Sequence, residues 1–299
     1  MGKKSLKLLI TCVGENTPKY HKKIFTLFQT INVFGGEIAK AKLVANFVGS
    51  IDKDIQSQLE NIGVEVRIVQ PFDPRSPHCN KLRMLEIEDD FDILIALDCD
   101  IAVVRDFYKK LSLDYFQAKP VNNDPLTIEQ WDYLFSYFDL KCPKERVETT
   151  GINQLVTVPY FNSGVLAIPK QYISRLRESW EKYALLLMDN YHNMGDIAKR
   201  KYFADQHSLA LALVAENIPF KTFPVEMNFS TPTKMKPKLS PNKMHPYIIH
   251  YHRFVEDNGL LMKTRFKYKV PDSYIKKVNK LIKGKKVNKI IKGRKGENR

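Results

Sequence analysis

Phe91-Asp92-Ile93-Leu94-Ile95-Ala96-Leu97-Asp98-Cys99-Asp100-Ile101-Ala102-Val103-Val104 is the stretch from which the fold can be read. Its first half is an apolar run, too short for a helix, that reads as a buried strand. The strand ends on two carboxylates separated by one residue. Buried charge without a partner costs roughly several kcal/mol, so Asp98 and Asp100 need a counter-charge, and a divalent cation would supply one. Asp-x-Asp spacing recurs at Asp52-Lys53-Asp54 and Asp90-Phe91-Asp92. Only the Asp98 copy follows a hydrophobic strand, so its position carries the signal.

Upstream, Leu6 to Val13 reads as a first strand, and Thr17-Pro18 supplies an N-cap with proline at the first helical position. Ile24, Leu27, Phe28 and Ile31 then share one helix face, and Gly35-Gly36 ends that helix. Leu43 to Val48 is a second strand, Ile51 to Asn61 a second helix and Val64 to Val69 a third strand. This alternation predicts a parallel sheet of βαβ units. Open sheets of this kind bind ligands beyond the carboxyl ends of their strands. Cys12 to Asn16 and Asp98 to Asp100 therefore belong on one rim. After a loop at Pro71 to Pro77, His78 to Leu85 forms a short helix leading to the central strand.

Beyond Asp106 the pattern is looser. Tyr115 to Lys119 reads as a strand, and Thr127 with Gln130 makes a capping box for a helix through Trp131, Leu134 and Phe138. Val156 to Ile168 contains a strand carrying Phe161-Asn162-Ser163-Gly164-Val165, and a long helix follows Pro169. Asp205-Gln206 opens another helix, in which Asp205 has N-capping as its ordinary role. A late strand ends in His250-Tyr251-His252. Asp98 and Asp100 with His250 or His252 form an oxygen-plus-imidazole set suited to Mn²⁺ or Mg²⁺. Gly164 permits close backbone approach. Glu256-Asp257 reads as a surface turn before Gly259.

The chain has 299 residues, of which 43% are hydrophobic and 27% charged, as in an ordinary soluble globular protein. Of its formal charge of +15, two thirds falls on residues 275–299. The body is only mildly basic, and no nucleic-acid partner is expected. Residues 276–284 repeat at 285–293 with Leu281 replaced by Ile290. A nine-residue shift turns a helix by about half a circle, so one continuous amphipathic helix does not fit. Either the chain breaks at Gly284, or the tail is disordered. The expected division is a body at 1–270, in halves at 1–106 and 107–270, followed by a basic tail at 271–299. Lysine with Val, Leu and Ile suits an anionic membrane surface. Cys12, Cys79, Cys99 and Cys142 lack zinc or CxxC spacing. With no signal peptide or transmembrane run evident, a cytoplasmic protein with reduced thiols is expected, held peripherally at a membrane if the tail binds one.

Asn80-Lys81-Leu82-Arg83, Ile95 to Ile101, Phe161 to Val165, Asp205-Gln206, Pro224 to Asn228 and Ile248 to His252, in that order, resemble retaining nucleotide-sugar glycosyltransferases of the GT-A fold, close to family eight. The resemblance spans about residues 81 to 252. It implies an α/β, Rossmann-like, mostly parallel central sheet flanked by helices, with the basic tail as an extension. It further implies a hexosyltransferase or related enzyme that moves a sugar, commonly from a UDP-sugar, to a glycan or glycolipid acceptor. Asp98, Asp100 and His250 would hold the metal, with His252 beside them. Lys81 would approach the phosphates or the sugar, and Asn162, Ser163, Gly164, Asp205 and Gln206 would line the donor sugar. Thr11, Cys12, Glu15 and Asn16 would receive the base, next to Cys99. The family's Lys-Pro-Trp after the late histidine is absent, and Arg253 would take the phosphate role instead. A sugar nucleotidylyltransferase is the second enzyme reading, for which Val13-Gly14-Glu15 makes a poor phosphate loop. A non-catalytic anion-binding protein acting through the tail is the third.

Overall fold

In the computed structural model, which describes residues 5–153 and 156–284, the central apolar run becomes a strand buried along its whole length. In chain order the strands are β1 (Leu8–Glu15), β2 (Lys42–Val48), β3 (Val64–Val69), β4 (Ile93–Leu97), β5 (Ile101–Val103), β6 (Phe116–Pro120), β7 (Val147–Glu148), β8 (Val156–Thr157), β9 (Phe161–Pro169), β10 (Phe220–Thr222), β11 (Phe229–Ser230) and β12 (Ile248–His250). The α-helices are α1 (Pro18–Phe34), α2 (Lys53–Asn61), α3 (Ile128–Tyr137), α4 (Lys170–Asn190), α5 (Ala204–Ala215) and α6 (Lys269–Ile282). Pro77–Leu85 is a 3₁₀ segment.

Seven strands form the main sheet in the order β10-β6-β9-β4-β1-β2-β3. All neighbours are parallel except β9, which runs against both β4 and β6. Alternation along the strands separates two cores. Leu8, Ile10, Ile93, Ile95 and Leu97 pack with Ile24, Leu27, Phe28 and Ile31 of α1. Leu9, Leu94 and Ala96 face the opposite layer, which holds Trp131, Leu176, Trp180 and Leu209. Thr17 caps α1 as its sequence predicts, accepting from the Tyr20 N–H, and the Thr127–Gln130 capping box is formed on α3.

The reversed direction of β9 is what builds the site. Because Leu97 pairs with Val165 in an antiparallel register, the amino-terminal end of β9 lies beside the carboxyl end of β4. Asn162, Ser163 and Gly164 thus arrive where Asp98 and Asp100 leave the sheet, and the Asp98 N–H donates to the Gly164 carbonyl at 2.9 Å. The chain then turns into β5, which joins a second sheet in the order β11-β12-β5. In it β12 pairs antiparallel with β5, setting His250 opposite Ile101, and parallel with β11, setting His250 opposite Ser230.

The expected boundary at residue 271 is corrected, because it falls inside α6. That helix is docked on the small sheet: Ile275 and Val278 are buried in a cluster with Ala102, Ile249, Tyr251 and Leu261, Ile282 packs against it, and Leu281 is buried as well. Asn279 reinforces the contact, donating to the Leu261 carbonyl and accepting from its N–H, both at 2.8 Å. The first copy of the nine-residue repeat is therefore mostly helix, with Val278 and Leu281 buried and its lysines exposed, and the helix ends before Gly284, whose φ of +76° suits glycine. The second copy lies outside the described residues.

Candidate active site

A cavity of about 790 Å³ opens at the carboxyl ends of β1 and β4. At its floor lies Lys81, only 8% exposed. Its ammonium is 2.9 Å from Asp205 Oδ2 and 3.1 Å from Asp98 Oδ1, and it donates to Ser163 Oγ at 2.7 Å. Ser163 in turn donates to Asp205 Oδ2 at 2.7 Å. Three donors on Lys81 thus meet three acceptors. Burial works against its charge, but Asp205 and Asp98 raise its pKa above the ordinary lysine value. Burial likewise disfavours the Asp205 carboxylate, yet Lys81 and Ser163 hold its pKa below the usual aspartate range. Both groups are charged at neutral pH.

This geometry changes the expected parts of two residues. Lys81, expected to approach phosphate or sugar, spends its donors on protein acceptors. Asp205 is not the N-cap of α5, a position held by Phe203. It sits in the first turn, with its carboxylate directed at Lys81 and Ser163. Gln206, next on the helix, lines the cavity together with Asp205, Asn162 and Ser163.

Beside this group is a cluster of possible ligands. Asp100, His250 and His252 each place one ligand atom within 4.8 Å of the others. His250 Nε2 lies 3.2 Å from Asp100 Oδ1 and 3.9 Å from Asp98 Oδ2. Its other ring nitrogen, Nδ1, is 3.1 Å from Asn228 Oδ1, an acceptor, so Nδ1 carries a proton and Nε2 is the ring nitrogen turned toward the two carboxylates. Asn228 is itself fixed by donating to Asn162 Oδ1 at 2.8 Å, and Asn162 Oδ1 also accepts from the Gly164 N–H at 3.1 Å. Gly164 has no room for a side chain: a Cβ there would stand 2.6 Å from His250 Cε1 and 2.9 Å from both Asp98 Oδ2 and Asn162 Oδ1.

His252 stacks on His250 with ring centroids 3.7 Å apart. It has a φ of +52°, unusual for a histidine, and its Nε2 is 3.0 Å from Ser230 Oγ. Burial, reinforced by the adjacent His250, pushes its pKa down to about 2 and keeps the imidazole neutral. Cis ligands on one octahedral ion at about 2.1 Å stand about 3 Å apart. The 3.2 Å between His250 Nε2 and Asp100 Oδ1 matches that spacing, so these two groups fit a divalent cation between them, with His252 in the same cluster. The two aspartates are not equivalent in this set, because Asp98 gives one oxygen to Lys81 whereas Asp100 faces both histidines.

The first-strand end is placed differently from its expectation. Thr11 and Cys12 are buried behind the cavity wall, where Thr11 Oγ1 accepts from Asn46 Nδ2 at 2.7 Å. Asn16 is bound to His21 and to Asp52, at 2.9 and 3.2 Å, and does not line the cavity. The side chains that do line it there are Val13, Glu15, Tyr20 and Val48, with Cys99 nearby. Arg253 is exposed on the rim. A second cavity of about 530 Å³ adjoins, and Lys19, Lys23 and Arg253 line both. At the opposite end, Tyr202 and His78 meet edge to face at 4.3 Å.

Sequence reasoning missed Lys19, Tyr20 and Lys23. A signal existed for them: α1 starts three residues after β1, so its first two turns must stand on the ligand-binding rim. It also missed the side chains of Asn228, His78 and Tyr202. Nothing local marks these, since each matters only through a partner distant in the chain.

A model of the Rhodobacterales glycosyltransferase domain matches residues 26–217, more than half of the chain. No curated protein matches by sequence. Among solved structures, the bifunctional glycosyltransferase WbbM superposes with a TM-score of 0.53 at 15% identity, covering 95% of this chain and 52% of its own. The glycosyltransferase GlyE of Streptococcus pneumoniae gives 0.53 at 15% identity, covering 95% and 65%. Mouse xyloside xylosyltransferase 1 gives 0.50 at 14% identity, covering 83% and 98%. The chain thus spans about half of WbbM and just under two thirds of GlyE, and at these identities the likeness is one of fold.

Proposed function

Because the chain belongs to the Rhodobacterales glycosyltransferase domain family, we propose that it is a metal-dependent enzyme of the GT-A type, close to family eight, which transfers a sugar with retention from a UDP-sugar to a glycan or glycolipid acceptor. The observation that carries this reading is the meeting, in one cavity, of the Asp100–His250–His252 cluster with the buried Lys81–Asp98–Asp205 group. One part suits a diphosphate with its cation and the other suits a sugar.

Asp100, His250 and His252, assisted by Asp98, would hold Mn²⁺ or Mg²⁺, which when bound supplies Lewis-acid neutralisation of the leaving diphosphate. Arg253 has no carboxylate partner among the described residues, so its guanidinium is available to the same phosphates. Asp205, held ionised, can accept sugar hydroxyl protons and favour positive charge developing on the sugar ring. Gln206 and the amide nitrogen of Asn162 add donors beside it. Val13, Glu15, Tyr20 and Val48 would enclose the base. No helix of the described residues is long and apolar enough to cross a membrane. The proposed membrane contact through the tail rests on its composition alone.

The test is a panel of nucleotide sugars incubated with the full chain, with Mn²⁺ or with a chelator. UDP-sugar hydrolysis that requires the metal is the expected result. Failure to consume any donor would overturn the reading, and release of free diphosphate from a nucleoside triphosphate and a sugar phosphate would favour the nucleotidylyltransferase.

At the acceptor end, Tyr202 is 64% exposed although it borders the cavity. An aromatic face held out beside a sugar site can stack on an acceptor pyranose, at about 0.5–1.5 kcal/mol by analogy with aromatic pairs. Tyr202→Ala should therefore lower kcat/KM for transfer to a glycan acceptor by roughly two- to tenfold while leaving donor hydrolysis unchanged. Tyr202→Phe should retain transfer. Parallel kinetics with water and with the acceptor would check both.

A further inference from the structure

Lys23 takes no part in the proposed donor contacts. It projects from the second turn of α1 and lines both cavities. Its ammonium lies 3.2 Å from Asp100 Oδ2, and the two side chains are only 12% and 19% exposed. The other oxygen of Asp100 is the one that faces His250, also at 3.2 Å. Asp100 is therefore divided between a resident ammonium and the ligand cluster.

The charge balance gives this pairing a consequence. Among the carboxylates and ammoniums of this group, Asp98, Asp100 and Asp205 are opposed by Lys23 and Lys81, which leaves one net negative charge. A dication entering beside Asp100 would overshoot this to one net positive charge, and it would do so next to an ammonium in a poorly hydrated site. A nucleoside diphosphate removes the excess. It also offers Lys23 another anion within the same cavity, which a flexible lysine stem can follow.

We propose that Lys23 is a positioning counter-ion that keeps the divalent-cation affinity of Asp100 low until a nucleoside diphosphate is present, so that cation and nucleotide bind as a coupled pair. The proposal rests on the metal-dependent reading above. Coupling of this kind is reciprocal, so Mn²⁺ should tighten UDP binding by the same factor as UDP tightens Mn²⁺ binding, and removing Lys23 should shrink that shared factor.

The experiment is a titration of the full chain with Mn²⁺, following free Mn²⁺ by electron paramagnetic resonance, with no nucleotide and with saturating UDP. In the absence of UDP, Lys23→Met should bind Mn²⁺ at least tenfold more tightly than wild type, and the tightening produced by UDP should shrink. Lys23→Arg should keep the wild-type pattern. Lys22→Met is the control for loss of a nearby charge, because Lys22 is exposed and donates to the Asp257 carbonyl at 2.6 Å. It should leave Mn²⁺ affinity unchanged. Equal or weaker nucleotide-free affinity in Lys23→Met, or equal tightening in Lys22→Met, overturns the proposal while UDP-dependent Mn²⁺ binding upholds the donor site. Absence of Mn²⁺ binding by every protein, with or without UDP, overturns both.

Discussion

Lys81→Met should destabilise the protein by about 3–5 kcal/mol at pH 7 and abolish transfer. The substitution keeps the length and apolar stem of lysine, so it leaves little cavity. What it removes is the charge between Asp205 and Asp98, and breaking a buried ion pair by removing one partner has about this cost. The loss is unequal on the two sides. Asp98 keeps 26% of its side chain exposed and can be rehydrated, whereas Asp205 keeps 4% and cannot. Urea unfolding at pH 7 and at pH 5 tests the assignment. In the wild type, the depressed pKa of Asp205 contributes stability that is present above the ordinary aspartate pKa and is lost as pH falls through the folded value. In the variant, the same carboxyl is buried without Lys81 and its pKa rises, so acidification toward about pH 4 should recover stability. The gap between the two proteins therefore narrows from pH 7 to pH 5. Lys81→Met/Asp205→Asn should recover most of the stability but none of the activity, because the unpaired charge is gone while the sugar end remains altered. An equal deficit at both pH values would show that lost packing dominates.

Local pattern revealed as much of this arrangement as local pattern contains. The apolar run at 93–97, the capped helix after the first strand and the alternation through 69 gave the sheet and its ligand-binding rim. The direction of β9 was not visible in that way, since an apolar strand reads the same from either end, and the convergence of Asn162, Ser163 and Gly164 on Asp98 depends on it. Lys81, Ser163 and Asp205 are separated by 82 and 42 positions along the chain. Their spacing has no periodicity that would announce an ion-pair group, and only their order matched a known family. Thr11 and Cys12 do not line the cavity, which the first strand meets only at Val13, because burial along a strand does not show in sequence where its end emerges from the core. The tail boundary failed for a related reason. A run rich in lysine reads as solvated, but Ile275, Val278 and Leu281 recur at three-residue spacing and supply α6 with a buried stripe.

Asp100→Asn should reduce sugar transfer by a factor on the order of 10³, equivalent to about 4 kcal/mol at the transition state, with the fold retained. The fold is spared because the backbone contribution of Asp100 does not involve its side chain: its carbonyl accepts from the Tyr251 N–H at 3.0 Å in either case. The activity is lost because this carboxylate alone faces His250 at ligand spacing, with His252 in the same cluster, so the amide would take the only carboxylate from that cluster. Burial disfavours the Asp100 charge, but His250 and Lys23 beside it hold its pKa below the ordinary aspartate value, so the ligand form persists on mild acidification. Asp98→Asn should also suppress transfer, but by a different route. Asp98 Oδ1 is committed to Lys81, and Asp98 Oδ2 stands farther from His250 than Asp100 does. Its replacement should weaken Mn²⁺ binding less than Asp100→Asn while disturbing the Lys81–Asp205 pair. Mn²⁺ titration in the presence of UDP, set beside transfer kinetics and melting temperatures, separates the two. The expected pattern is a larger loss of Mn²⁺ affinity in Asp100→Asn and a larger fall in melting temperature in Asp98→Asn. Comparable Mn²⁺ affinity in Asp100→Asn and wild type would remove Asp100 from the ligand set and leave the carboxylate of Asp98 as the metal's anchor.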